Sequence, residues 1–574
     1  MPAEPLPFGR FGIAYRFLIG CIVACAFTLV LNASSIREFS QGRLTFFDLG
    51  FDNVSADEAH YFAMIRDVAD GLFNLGNTSL QEHQSDPNVS TYAPLLQGSL
   101  IRFFDTDFTM AILIGDVLFP FLGVLILFTS LSLLGFSLFD TALMALFSLS
   151  AIGWQRSINP QISVPLFLFA TGAFLFGNIR PSKRVWVLQG LCTAVLVFVH
   201  VLYAELLIVA EMCIAFHSYV FVRFERRRIF TRLLLTTVPL FAAFVLKLLI
   251  TSGLSADVLA DTYRRLGMIP SHLPAAPMLQ MKIGVSLAVL FGLRKRQLIA
   301  EHPMMDGLSV LLIATLLCLN QSIVSGVDLV FGLYFAVPAE IFLRLLWMTV
   351  ILSLVPVPLR LRRALAVLIV TFSLLPLARI AMQQRPAVNE ASKVYEPLMT
   401  WLASEPGHKV ILAPIEVANL VPVVSSHSVV FNQYAHFEPA SDEALTDRFL
   451  LEKSLFPIVR EEGDPLFSWV FGLYAGNLSA RTRTACRLLD PATPTDCTHD
   501  PRAFVFHQDL LRRLESGTIG RKKMLEKFNV DLIISETDLS ADMLLMCPLE
   551  RTIGENRVYR CTEKLEEKDL NSKK

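Results

Sequence analysis

The chain has 574 residues, of which 53% are hydrophobic and 18% are charged, and its mean hydropathy is +0.52. This composition is too apolar for a soluble enzyme of that length, so it predicts a protein that crosses a membrane many times. The formal net charge of −1 gives no reason to expect a nucleic-acid partner.

Apolar segments of the length that crosses a bilayer, about 20 residues, recur up to about residue 385. The first is longer than the apolar core of a signal peptide and has no small-residue cleavage site, so we expect a retained anchor. Segment 280–293 is short, and segment 185–222 must turn back on itself although no Gly or Pro marks the turn. The eleven predicted spans are 11–33, 109–134, 137–154, 162–178, 185–202, 204–222, 233–251, 280–293, 306–324, 332–355 and 362–380.

Basic residues indicate how these spans are oriented, because Lys and Arg are enriched in cytoplasmic loops. Four polar joints of the chain are basic, and a cytoplasmic N-terminus places all four on the cytoplasmic side. The loops 34–108, 155–161, 252–279 and 325–331 then lie outside, with everything after about residue 381. The basic joints contain Arg180/Lys183/Arg184, Arg223/Arg226/Arg227/Arg228, Arg294/Lys295/Arg296 and Arg360/Arg362/Arg363.

Loop 34–108 is too long for a simple connection, and loops of this length are usually functional or disordered. Its apolar spacing predicts a helix from about Asp57 to Leu72, and a second amphipathic segment after Pro94 is suited to the membrane interface. Asp57-Glu58-x-x-Tyr61 places two carboxylates at the start of the first helix. Such a group can act as a general base or hold a metal ion beside a leaving phosphate. Helix capping is the simpler explanation.

The stretch Ser55-Ala-Asp-Glu-Ala-His-Tyr-Phe-Ala-Met-Ile-Arg66 resembles the Asp-Glu-x-x-Tyr signature of GT-C integral-membrane glycosyltransferases. It is most similar to the branch of protein O-mannosyltransferases and aminoarabinose transferases. The resemblance implies a polyprenyl-phosphate-linked sugar donor, an inverting transfer and the motif Asp as catalytic base. That role falls on Asp57, with Glu58 beside it and Asp52 as the alternative. Tyr61 and Tyr92 are candidate substrate contacts in the same loop.

Loop 155–161 offers a second group of substrate candidates. Arg156 is suited to a bidentate contact with a lipid phosphate, and Asn159 and Gln161 to hydrogen bonds with sugar hydroxyls. An interfacial polar turn, with Pro160 starting the next helix, explains the same residues equally well.

Three further groups lie at predicted outer helix ends or, for the arginines, in the outer loop 252–279. His200 and Tyr203 mark, with Glu205, the turn within 185–222, where His200 is a candidate phosphate ligand and a structural role is the alternative. Arg264 and Arg265 are suited either to the lipid phosphate or to anionic headgroups. Asn320 and Gln321 serve either a substrate or helix–helix hydrogen bonds.

Residues 390–574 change to a soluble α/β pattern, so we expect a transmembrane domain over 1–385 followed by an exoplasmic domain. Predicted strands cover 409–413, 428–431, 530–535 and 557–560, and helical stretches cover 441–460 and 505–528. Cys486, Cys497, Cys547 and Cys561 lie in this region, and an even set of four is compatible with two disulfides in an oxidising compartment.

The sequence therefore favours a glycosyltransferase that moves a sugar from a polyprenyl-phosphate donor to a glycan, glycolipid or protein acceptor, with membrane lipids around it. No cofactor is certain, and a divalent cation is supported only by the acidic motif. A lipid or solute transporter, a lipid-linked glycan polymerase or ligase, and a relative that only binds glycolipid are the alternatives. In the predicted outer regions, Asn-x-Ser/Thr triplets begin at Asn53, Asn77, Asn88 and Asn477. Such triplets carry glycans only in a eukaryotic secretory pathway, and a glycan on Asn53 would crowd the motif, so we favour a bacterial inner membrane.

Overall fold

In the computed structural model, the chain forms two compact units. The structure describes most of the residues of the chain. The helical unit comprises Met1–Leu49, Asp107–Leu249 and Pro270–Ala387, and the α/β unit comprises Gly50–Thr106, Ile250–Ile269 and Val388–Lys574. The described residues are 10–41, 58–76, 79–80, 86–87, 91–106, 108–150, 152, 154, 161–221, 226–266, 268–270, 275–329, 334–382, 394–456, 470–472, 508–510, 512–513 and 520–561.

The elements are numbered in chain order over the described residues. The helices are α1 (Arg10–Leu31), α2 (Ala33–Ser40), α3 (Glu58–Asp70), α4 (Pro94–Phe104), α5 (Phe108–Leu133), α6 (Leu138–Leu149), α7 (Ser163–Ile179), α8 (Lys183–Val199), α9 (Val201–Phe221), α10 (Arg226–Thr251), α11 (Ala256–Arg265), α12 (Pro277–Lys295), α13 (Pro303–Leu319), α14 (Gln321–Ser325), α15 (Ala336–Ser353), α16 (Leu359–Met382), α17 (Glu396–Ser404), α18 (Ile415–Val424), α19 (Asp442–Leu455), α20 (Arg521–Lys527) and α21 (Ala541–Met546). The strands are β1 (Met268–Pro270), β2 (Val327–Leu329), β3 (Val410–Leu412), β4 (Ser428–Val429), β5 (Leu532–Ser535), β6 (Leu549–Ile553) and β7 (Asn556–Arg560).

Each of the eleven predicted apolar segments coincides with a helix, or with the consecutive pair α13 and α14. Six candidates, within the described part of the chain, are long and apolar enough to cross a membrane. The helices at the other five segments, α6, α7, α8, α12 and α16, are not among these candidates. The six candidates are Gly12–Leu31, Phe108–Leu133, Val201–Val220, Arg227–Thr251, Pro303–Ser325 and Ala336–Ser353.

The predicted break within 185–222 is confirmed, and it falls at His200. Helix α8 ends at Val199 and α9 begins at Val201, because His200 leaves the helical conformation (φ −160°, ψ 87°). Its N–H still closes α8 by donating to the Leu196 carbonyl at 2.7 Å, and its own carbonyl accepts from the N–H of Tyr203 at 3.0 Å. The chain therefore turns without Gly or Pro, and α8 and α9 pack against each other.

Four charged side chains of the helical unit bind polar groups of another helix or segment. Glu211 is buried between Arg232, at 2.5 Å, and the amide of Gln189, at 2.6 Å. An unpaired charge at this depth costs several kcal/mol, so these donors stabilise the carboxylate of Glu211. The remaining pairs are Asp116 with Gln161 at 2.7 Å, Glu340 with Lys282 at 2.8 Å, and Lys247 with the Val197 carbonyl at 3.3 Å.

The α/β unit contains a five-stranded sheet with the order β4-β3-β5-β7-β6. The strands β4, β3 and β5 are parallel, and β5, β7 and β6 are antiparallel. The four predicted strands are confirmed as β3, β4, β5 and β7. Strand β6 was not predicted, because four of its five residues are exposed and it lacks an apolar pattern. A disulfide between Cys547 and Cys561 links the chain before β6 to the chain after β7, whereas Cys486 and Cys497 lie outside the described residues.

The α/β unit also contains parts of the two loops that the sequence assigns to the transmembrane domain. Helix α3 packs on α18 and on α4. The Ser79 carbonyl accepts from the N–H of Val429 at 2.8 Å, and its Oγ accepts from Asn432 Nδ2 at 3.0 Å. Leu80 is fully buried in an apolar cluster with Phe431. Apolar residues of loop 34–108 therefore form part of the core of the α/β unit. The sequence assigns this loop to the transmembrane domain, residues 1–385.

Candidate functional site

Helix α3 begins at Glu58, the second residue of the Asp57-Glu58-x-x-Tyr61 motif, which confirms the predicted helix. Asp52 and Asp57 lie outside the described residues, as does the side chain of Glu58. The face that fixes the helix in the α/β unit is completely buried. Its fully buried side chains are Phe62, Met64, Ile65 and Val68.

Helix α4 runs alongside α3, and Gly98 allows their close approach. A Cβ at Gly98 would lie 2.4 Å from Val68 Cβ and 2.7 Å from the Ile65 carbonyl oxygen, so only glycine fits without a shift. Near the beginning of both helices, Tyr61 and Tyr92 pack against one apolar cluster that includes Met64. The structure thus brings together two predicted substrate contacts, one turn after the motif carboxylates.

His60 attaches the start of α3 to a distant segment of the chain. It is 6% exposed, its ring stacks on Phe437 with 5.0 Å between centroids, and its Nδ1 lies 3.9 Å from Glu438 Oε1. Burial lowers the pKa of His60 to about 4, so the imidazole is neutral at pH 7. Two turns further along α3, burial and the carboxylates of Glu438 and Asp70 raise the pKa of Asp67.

Arg265 attaches α11 to the same segment. Its side chain has no exposed surface, and all three of its nitrogens donate hydrogen bonds. Nη1 donates to Asp442 Oδ1 at 2.5 Å, and Nε donates to the His436 carbonyl at 3.1 Å. Nη2 donates to the carbonyls of Glu438, at 2.8 Å, and Ala440, at 2.6 Å. These bonds give Arg265 a structural role within the α/β unit.

Arg264 is the more accessible of the two arginines, with 42% of its side chain exposed. It pairs with Asp261 at 2.8 Å and also contacts Asp442. Of the predicted pair, Arg264 is therefore the side chain that a phosphate can reach. It stays a candidate substrate residue, whereas the donors of Arg265 are used inside the protein.

Residues 436–442, the clamp segment, thus hold elements from two separate loops. His60 and Asp67 of α3 face its Glu438, and Arg265 of α11 binds its backbone carbonyls. Neither Glu438 nor Asp442 was predicted from the sequence. Glu438 lies between a short aromatic stretch and helix α19, and Asp442 is the first residue of that helix. Ser441 caps α19 by accepting from the N–H of Ala444, and this was the local signal available.

In the helical unit, His200 and Tyr203 lie together, as predicted. Their rings stack with centroids 3.8 Å apart, and Tyr334 meets His200 edge-on at 5.4 Å. Tyr203 also packs against Phe167 at 4.7 Å. Both His200 and Tyr203 are buried, so the helix break at His200 is lined by aromatic rings.

The other predicted substrate residues have structural partners or lie outside the described residues. Gln161 is buried and its Nε2 donates to Asp116 and to the Trp154 carbonyl. Asn320 donates to Gln280 Oε1 at 3.0 Å, which is the helix–helix hydrogen bond considered as an alternative. Gln321 is the first residue of α14 and is partly buried, and Arg156 and Asn159 are not among the described residues.

No group of three or more His, Cys, Asp or Glu side chains is arranged to hold a metal ion in the part of the chain that the structure describes. No protein-family model matches the chain, and no curated protein matches it either.

Proposed function

We propose that this protein is a membrane glycosyltransferase with a GT-C-like arrangement of about eleven spans. It transfers a sugar from a polyprenyl-phosphate donor to an acceptor outside a bacterial inner membrane. In this proposal the N-terminus is cytoplasmic and the α/β unit is exoplasmic. The six candidate spanning helices and the helices found at the other five predicted segments support such an arrangement.

One observation carries the proposal: the acidic motif opens a helix that is fixed on a folded scaffold. Glu58 is the first residue of α3, and the following turns are buried against α4 and α18. A catalytic carboxylate must be held within about 0.5 Å of its productive position, which a rigid helix achieves better than a free loop. The neighbouring His60 and Tyr61 are both anchored by aromatic or apolar contacts.

The chemistry requires one general base and stabilisation of one leaving group. Asp57 removes the proton of the acceptor hydroxyl as its oxygen attacks the anomeric carbon. The bond from that carbon to the phosphate oxygen breaks with inversion, and polyprenyl phosphate leaves. The leaving phosphate is the main electrostatic demand, and we assign Arg264, which belongs to the same α/β unit as the motif, to it.

The pairing of charges in the helical unit supports an enzyme over a transporter. A transporter that couples to ions needs ionisable groups that face a path near the midplane. Here Glu211, Asp116 and Glu340 each have a donor on a neighbouring helix or segment. These partners give the three carboxylates an interhelical role.

The test compares Asp57→Asn with Asp70→Asn in the full-length protein reconstituted into liposomes. Asp70 is an exposed carboxylate at the other end of α3 and pairs with Arg66 at 3.0 Å, so it controls for the loss of a charge on the same helix. Polyprenyl-phosphate hexoses and pentoses are supplied as donors, a membrane extract supplies acceptors, and the release of polyprenyl phosphate is measured. Removing a general base lowers the rate by about 10²–10⁴-fold.

We expect that loss for Asp57→Asn, with an unchanged thermal unfolding midpoint, and near-normal release for Asp70→Asn. Equal release by the two variants would contradict the role of Asp57.

A further inference from the structure

A group of large apolar side chains is exposed at one end of the α3–α4 pair. Phe103 is 83% exposed and Phe104 is 72% exposed at the end of α4, and Leu72 and Phe73 are about half exposed in the turn after α3. Arg102 connects the two ends, because its guanidinium lies 5.7 Å from the Phe73 ring and its Nη1 donates to the Ala69 carbonyl at 3.5 Å. We call Leu72, Phe73, Phe103 and Phe104 together the aromatic patch.

The patch differs from the packed face of α3, where Phe62, Met64 and Val68 have no exposed surface. Apart from Leu96, which is 49% exposed, the large exposed apolar side chains of the helix pair lie at this one end. Exposing apolar surface to water costs about 25 cal/mol per Å², and contiguous exposed apolar groups usually mark a surface that binds something. The aromatic patch therefore needs a covering partner.

The chain itself indicates that this partner is a lipid bilayer. Only residues 105–107 separate Phe104 from Phe108, the first residue of α5, which is one of the candidate spanning helices. Phe104 and Phe108 are four residues apart, so their Cα atoms are at most about 14 Å apart and the patch lies close to the level at which the chain enters the membrane. The neighbouring Arg102 also suits this level, because Arg at the interface reaches phosphate headgroups while aromatic rings insert below them.

We propose that the aromatic patch inserts into the membrane interface and thereby fixes the height of α3 above the bilayer. The anchor is confined to one end of the pair. The beginning of α3 is held instead by His60 and by the apolar cluster with Tyr92. This inference does not depend on the catalytic activity and holds for any function of the motif helix.

Photo-crosslinking from full-length protein in liposomes tests the proposal. Benzoylphenylalanine replaces Phe103 in one variant and Leu545 in another, because Leu545 is 84% exposed in the same unit but far in sequence from any candidate span. The liposomes contain phosphatidylethanolamine and phosphatidylglycerol with an alkyne at the end of an acyl chain. The lipid attached to each variant is then measured by labelling the alkyne.

We expect at least about tenfold more lipid adduct at position 103 than at position 545, because only an interfacial side chain meets acyl chains. Equal labelling at the two positions would overturn the proposal. So would a predominant adduct between two copies of the chain, which would mean that protein covers the patch. Because benzoylphenylalanine is also a large aromatic residue, the replacement at Phe103 preserves the exposed surface under test.

Discussion

Replacing Arg265 by Met should loosen the attachment of α11 to the clamp segment. The substitution keeps the length and the apolar stem of the side chain but removes five hydrogen bonds, one of which joins Nη2 to Thr262 Oγ1 within α11. The carbonyls of His436, Glu438 and Ala440 lose their donor, and Asp442 loses its buried partner. Arg265 has no exposed surface, so water cannot replace the guanidinium without a rearrangement.

The size of the effect follows from these contacts. Removing one partner of a buried ion pair costs about 3–5 kcal/mol, and an unsatisfied buried carbonyl costs about 1–3 kcal/mol, although the two are not additive. The Asp442 side chain is 18% exposed and keeps Arg264 as a partner, so water and that arginine recover part of the loss. We therefore expect a local destabilisation of about 3 kcal/mol, at the lower end of the ion-pair range.

Hydrogen–deuterium exchange of the full-length protein measures this local free energy directly. The clamp segment supplies a good probe, because the N–H of Asp442 donates to Asp261 Oδ2 at 3.0 Å across the attachment. A loss of about 3 kcal/mol corresponds to exchange about a hundredfold faster. Arg264→Met is the matched control, and because its ion pairs are at the surface it should cost about 0–1 kcal/mol. Equal exchange rates for the two variants would refute the structural role of Arg265.

Two further predictions concern α3. Between pH 6.5 and about 4 the unfolded chain binds a proton that buried His60 excludes, so the α/β unit loses up to about 1.4 kcal/mol per pH unit as the pH falls. His60→Phe retains an aromatic ring against Phe437. It should reduce the decrease of the unfolding midpoint between pH 6.5 and about 4. An unchanged decrease would mean that another histidine causes the loss of stability. Gly98→Ala should destabilise the α3–α4 pair by about 1–3 kcal/mol, since its Cβ would meet Val68. Gly284→Ala, which meets nothing within 4 Å, should be neutral or slightly stabilising, and similar unfolding midpoints for the two alanine variants would contradict the close contact at Gly98.

The features that local sequence determines were predicted well. Apolar length identified a helix at every predicted span, and the basic joints on both sides of 185–222 required a break that the structure places at His200. Buried runs of aliphatic residues identified four strands of the sheet. Strand β6 was not predicted, because an edge strand with exposed side chains has no distinctive hydrophobic pattern in a single sequence.

The contacts between distant parts of the chain were not predictable in the same way. Arg264 and Arg265 are adjacent and identical in type, yet one is fully buried among carbonyls and the other is half exposed. The N–H groups of a guanidinium can bind either a phosphate or a group of carbonyl oxygens. The amino-acid sequence alone therefore does not show which of these two partners a given arginine has. His60 is equally ambiguous, because its environment is set by Phe437 and Glu438, which are far from it in sequence.

The clamp segment suggests why the α/β unit contains parts of two loops that sequence assigns elsewhere. A free helix of 13 residues, the length of α3, is marginally stable in water, and most helical stability in proteins comes from packing. Here α18, α4, Phe437 and Glu438 supply that packing, while Arg265 binds α11 to the same short segment. A displacement of the clamp segment would move both helices together. The C-terminal part of the chain therefore serves the motif by fixing its helix in place, and this role does not require a substrate-binding site of its own.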